Sequence, residues 1–275
     1  MNNQSKFILS FLLVLFLALL STAPARSQFT DGSTGLLQMP TADMQDDGTF
    51  MFTTNFLNKH ALPSSGWNYN TLQYGIYISF WERIEIGYIC TIFNGAWDPR
   101  PEEEKGYRLT IIRNQDRHFT GRICLFREGE FGLKWIPALT VGVSDPTTGA
   151  NGGEYITGTD KVSETGNGFF NRYFMVMSKH FCTSWGRIGA HVGYQVNRRK
   201  DYPINSPCVG MDWKPIWLQD KGILDYLDVI LEYDSRTLNC GVVASIWDNR
   251  LEAMFELQNF QWINFGLCYK LRIKK

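Results

Sequence analysis

The chain has 275 residues, with 27 Lys and Arg against 27 Asp and Glu, so there is no basic surplus to engage nucleic acid. After Leu20 no apolar run is long enough for a membrane helix, which excludes a helical bundle in the bilayer. The six Cys (Cys90, Cys124, Cys182, Cys208, Cys240 and Cys268) are far apart and form no CxxC, which excludes a dense disulfide framework. They also do not pair with His60, His118, His180 or His191 at metal-ligand spacing, so the sequence offers no metal site and no cofactor.

The first element is an export signal. Lys6 gives a short positive start, and Phe7 to Leu20 is a 14-residue apolar run broken only by Ser10. Small residues around Ala23, Ala25 and Ser27 then supply cleavage sites. We expect residues 1–27 to be a signal peptide cut before Gln28. Loss of Lys6 and Arg26 would leave 25 bases against 27 acids. Residues 28–47 follow as an irregular segment with Gly32, Gly35 and Pro40, expected either to plug a lumen or to lie in the periplasm. Asp43, Asp46 and Asp47 faintly suggest calcium, but Thr54 stands where an EF-type loop needs its last acid.

From residue 48 onward the dominant signal has period two, the mark of strands with one apolar and one polar face. Leu72, Tyr74, Ile76, Ile78 and Phe80 alternate with polar or small residues. The same holds for Ile84–Ile92, Ile188–Val196, Leu227–Tyr233, Leu251–Leu257 and Ile263–Leu271. Weaker strands fit at 49–58, 105–113, 119–127, 133–144, 169–181, 207–214 and 238–247. Twelve or thirteen strands result, and the even number typical of bacterial barrels favours twelve. The stretch 119–168 is the least certain, with a hairpin around Glu128-Gly129-Glu130. Asp248-Asn249 and Trp81-Glu82 read as tight hairpins. Residues 94–104 and 145–168 read as long polar loops, and 215–226 as room for a short helix.

Alternation alone does not say whether the apolar faces meet lipid or a dry core. Strand lengths of about 9–11 residues suit a tilted membrane strand. Trp67, Tyr69, Trp81, Trp135, Trp185, Trp213, Trp247 and Trp262 near strand ends suit interfacial girdles. The expectation is an all-β, antiparallel up-and-down transmembrane β-barrel over 48–275, facing outer-membrane lipid. Its polar face would carry Arg83, Glu85, Arg187, His191, Asp228, Glu232, Arg250, Glu252, Glu256 and Lys270 into the lumen, as a salt-bridged interior or a polar path.

No catalytic residues are expected. Ser178 and His180 share a strand face and are the nearest thing to a nucleophile pair, but no recognised nucleophile motif surrounds them. Glu252 and Glu256 share a face without other support for sugar hydrolysis. Trp67 and Trp97 suit interface anchoring or stacking on a sugar ring. The rival readings are a small general porin or envelope scaffold, a lipid- or glycan-modifying barrel enzyme, and a soluble periplasmic β-sandwich.

Several segments in order resemble the YjbH-like family of outer-membrane barrels associated with exopolysaccharide. Gly35-Leu36 with Pro40-Thr41-Ala42, then Asp47-Gly48-Thr49, resemble its N-terminal pattern. Val141-Gly142 with Asp145, Gly168 with Phe170, Tyr173 and Ser178-Lys179 resemble its central region. Glu232-Tyr233-Asp234 and Phe265-Gly266-Leu267 with Tyr269 are similar to later strand ends. The resemblance implies an outer-membrane barrel supporting exopolysaccharide production or export, with a polysaccharide and periplasmic export or biosynthesis proteins as partners. It supplies no catalytic residues.

Overall fold

The computed structural model describes Gln28 and residues 32–61, 70–94, 112–146, 170–198 and 203–273. The expected signal peptide, Trp67, Tyr69, Trp97 and most of the two long loops lie outside the described residues. The strands are Thr49–Leu57 (β1), Thr71–Phe80 (β2), Ile84–Asn94 (β3), Ile112–Phe126 (β4), Ala138–Ser144 (β5) and Arg172–Thr183 (β6). They continue as Gly186–Val196 (β7), Asn205–Pro215 (β8), Leu224–Tyr233 (β9), Leu238–Ile246 (β10), Leu251–Gln258 (β11) and Trp262–Arg272 (β12). Each pairs antiparallel with its sequence neighbours, and β1 closes the sheet onto β12, with Thr53 opposite both Cys268 and Gly75. Closure leaves no edge strand, and it removes the β-sandwich from the readings.

Three local expectations change. Residues 112–113, the end of the weak strand expected at 105–113, lie on one long strand with 119–126, β4, and 105–111 lie outside the described residues. The segment 133–137 belongs to the β4–β5 connection. Pro137 offers no N–H to a ladder, and the strand starts at the next residue. The hairpins are longer than two residues: Phe80 pairs with Ile84 across Trp81–Arg83, and Ile246 with Leu251 across Trp247–Arg250. Their left-handed residues, including Trp81, Glu82, Trp247, Asp248 and Asn249, turn the chain. In 215–226 the helical element is a single 3-10 turn, Ile216–Leu218.

The sequence alternation sorts side chains by face. Ile76, Ile86, Val192, Phe255 and Phe265 point outward and are 40–53% exposed. The residues on the alternate face, among them Glu85, His191, Glu252, Glu256 and Lys270, are buried inside. This inverts the soluble pattern, in which apolar faces pack inward.

The two rims differ. The β2–β3, β4–β5, β6–β7, β8–β9 and β10–β11 connections share the rim where β1 starts and β12 ends. Each carries one strongly exposed tryptophan: Trp81, Trp135, Trp185, Trp217 and Trp247. The opposite rim takes the longer sequence spans 58–70, 95–111 and 145–171.

Candidate functional site

The lumen is filled by the chain's own N-terminal segment. Residues 32–47 run inside the barrel. Leu36 N–H donates to Met39 O at 2.9 Å, and an isolated bridge joins Gly35 to Pro40, folding the segment into a hairpin. Its tip carries Leu36, Leu37 and Met39, all fully buried. They pack with Phe174, Val176, Ile230, Val243 and Met254 in an apolar pocket inside an otherwise polar lumen.

Glu232 holds the tip. Its carboxylate accepts the backbone N–H groups of Leu37 (3.0 Å), Gln38 (2.7 Å) and Met39 (3.3 Å), and an N–H of Asn239 at 3.2 Å. Successive amides aimed at one carboxylate form an anion nest. The register explains the access. Gly210 lies opposite Glu232, and a Cβ at Gly210 would fall on Leu36 and Met39. Glycine is needed there for close approach rather than for its backbone angle. Gln38 also donates its side chain to Glu256 at 2.7 Å, a carboxylate shared with Asn264. From the opposite wall, Arg172 donates to Gln38 O at 2.9 Å and to the side chains of Gln195 and Gln28.

The base of the segment is held by a different network. Glu85 accepts from Thr34 Oγ1 (2.7 Å) and from Gln45 N–H (2.9 Å). Arg122, 3.7 Å from Glu85, donates to the carbonyls of Thr34, Thr41 and Asp43. Ala42 N–H donates to Ser178 Oγ at 2.7 Å, and Ala42 O accepts from Thr140 at 3.1 Å. The Ser178 hydroxyl is therefore left to donate to His191 Nδ1 (2.7 Å), and His191 Nε2–H donates to Asp212 Oδ1 (2.7 Å). A second network of the lumen wall is carried by β8, β9, β11 and β12. Lys270 and the Tyr226 hydroxyl meet Glu252 at 2.7 and 2.9 Å, and Lys214 lies over the Tyr226 ring and 3.6 Å from Asp228.

Ser178, His191 and Asp212 have the constituents of a nucleophilic triad. Ser178, however, is only 1% exposed, and the plug's own amide occupies its hydroxyl. As arranged, the relay fastens the segment to the wall.

At the tryptophan rim, Glu128 in the β4–β5 connection takes His180 Nδ1 at 2.6 Å and Lys179 Nζ at 2.8 Å. Burial would raise its carboxyl, but these bonds outweigh it and bring the carboxyl down to about 2. Glu130 is likewise lowered, chiefly by the Arg127 backbone N–H and then by Arg83.

The residues expected in the lumen fall into groups. Glu85 and Glu232 hold the plug, Glu256 holds its Gln38 side chain, and His191 supports Ser178. Asp228, Glu252 and Lys270 belong to the wall network. Arg187 is half-buried at the start of β7. Arg83 and Arg250 are placed differently: both are turn residues at the rim, Arg83 paired with Glu130 and Arg250 against the Trp247 ring. Each directly precedes a first strand residue, so the alternation extended one step too far. Sequence reasoning missed Arg122, Arg172 and Asp212. Arg122 and Arg172 lie in weakly patterned strands, although Arg122 is in phase with the buried His118 and Thr120.

These features define a class: a closed twelve-stranded β-barrel, apolar outside, stoppered by its own N-terminal segment. The family model for the exopolysaccharide biosynthesis protein YbjH matches residues 27–273, and the chain belongs to this YjbH family. No curated protein matches the chain. Three of the motifs that carry the resemblance meet in the lumen: Gly35–Ala42 is the plug tip and its descent, Glu232 grips that tip, and Ser178 grips Ala42.

Proposed function

We propose that this chain resides in the outer membrane and serves exopolysaccharide production or export as a plugged, non-enzymatic barrel. The observation that carries the reading is the partition of the wall: an apolar exterior around a charged lumen occupied by residues 32–47. The five tryptophans on one rim support lipid contact, since indole rings favour the membrane–water interface. Short connections on that rim fit the periplasmic side of such barrels, and the longer spans fit the outside. Burial of Ser178 beneath Ala42 supports a non-enzymatic role. In this reading the barrel is closed at rest. Passage of a sugar chain would require the plug to leave, and the partners would be a polysaccharide and periplasmic export or biosynthesis proteins.

Membrane fractionation combined with heat-modifiable gel migration tests residence: the folded chain is expected in the outer-membrane fraction, and recovery in the soluble periplasm contradicts the reading. Exopolysaccharide output tests the role. Deletion of the chain is expected to lower it, and Ser178→Ala to leave it near wild type. A Ser178→Ala chain that folds and inserts normally yet abolishes output would favour an enzyme.

A further inference from the structure

The clasp between the plug and the wall has a feature that the hydrogen-bond network does not use. His180 Nε2 is buried without a hydrogen-bond partner and stands 3.5 Å from Asp43 Oδ1. His191 lies next to it, with ring centroids 5.5 Å apart. One ligand atom from each of Asp43, His180 and His191 lies within 4.8 Å of the others. Ligand atoms sharing one tetrahedral zinc ion stand about 3.3 Å apart, so a small inward movement completes the set.

We propose that Asp43, His180 and His191 bind a Zn2+ ion that locks the plug to the barrel wall. Both imidazoles are already oriented as metal ligands are. His180 gives Nδ1 to Glu128, and His191 gives Nε2 to Asp212. A carboxylate on the far nitrogen fixes the ring and raises the basicity of the ligating one. His180 Nε2 is then the ligand on β6. On β7 the ligand is His191 Nδ1, which exchanges its bond to the Ser178 hydroxyl for the ion. Two imidazoles and one carboxylate suit zinc better than calcium or magnesium, which prefer all-oxygen sets. Asp43 comes from the plug and the histidines from the wall, so the ion would tie the two together. Asp43 and His180 are 16% and 11% exposed, near the tryptophan rim.

The test uses the folded full chain in detergent, stripped of metal by chelation and titrated with Co2+ and then Zn2+. Expected are the intense visible bands of tetrahedral Co2+ at one equivalent per chain, displaced by Zn2+. The bands should vanish in Asp43→Asn and His180→Ala and persist in Cys182→Ser, which removes an exposed thiol near the same rim. Glu128→Gln, with all three ligands intact, should bind about tenfold more weakly. Zn2+ should also slow proteolysis within residues 32–47 in the wild type and not in Asp43→Asn. No tetrahedral spectrum, binding that survives His180→Ala or Asp43→Asn, or binding lost in Cys182→Ser would each overturn the proposal. Heat-modifiable migration checks the fold of each variant, and Asp43→Asn tests the site with the barrel wall unchanged.

Discussion

The tip and the base of the plug are held by different physics. At the tip, Leu36, Leu37 and Met39 fill an apolar pocket, and one carboxylate, Glu232, collects the amides of the turn. At the base, Glu85, Arg122, Ser178 and Thr140 hold successive backbone groups with directional bonds, while Ala42 adds one small side chain to the apolar cluster. The tip is a shape fit with one electrostatic anchor, so it tolerates changes that preserve volume. The base is a buried network, in which every member left alone becomes costly.

The largest effect is expected at the base. Arg122→Met removes the donor to three plug carbonyls and leaves Glu85 buried without its cation, a loss of about 3–5 kcal/mol. Denaturant unfolding of the detergent-folded barrel measures it, and a change below about 1 kcal/mol would mean that the base network is dispensable. At the tip, Glu232→Ala strands the amides of Leu37, Gln38 and Met39, with an expected cost of about 2–3 kcal/mol. Glu232→Gln should cost less, because its amide oxygen still accepts. Gly210→Val presses on Leu36 and Met39, at an overpacking cost of about 1–3 kcal/mol. Adding Leu36→Ala should recover part of that loss, and strict additivity of the two changes would break the packing account.

Glu128→Gln at the rim is expected to have the smallest effect. The folded carboxyl is depressed from 4.5 to about 2, so its contribution is present above pH 4.5 and is lost as pH falls through about 2. The gap between wild type and variant should be constant at neutral pH and close between pH 4.5 and 2. A gap that widens on acidification contradicts the assignment.

Much of the barrel was legible because a period of two leaves a stripe wherever one face meets apolar surroundings. It failed where that stripe is missing. In β4 the sequence from Arg113 to Arg117 (Arg, Asn, Gln, Asp, Arg) holds no apolar residue, so half of this strand shows no apolar stripe to read. The lumen set followed from the same alternation, which is why Glu85, His191, Glu232 and Glu256 were found and the turn residues Arg83 and Arg250 were grouped with them. The pairings were not legible. Glu232 lies 194 residues from Gln38, and no local pattern records such a contact. Residues 28–47 read as irregular, either plug or periplasmic. The choice depends on a pocket built from four strands distant in sequence. The Asp43, His180 and His191 cluster was invisible for the same reason, since its members meet only when the plug enters the barrel.

The most direct test of the account is single-channel conductance in planar bilayers. The wild-type barrel is expected to stay closed, with stable open levels appearing on deletion of residues 32–45 and intermittent ones in Arg122→Met. A wild-type barrel that conducts steadily, at the same level as the deletion, would contradict the claim that this segment stoppers the lumen.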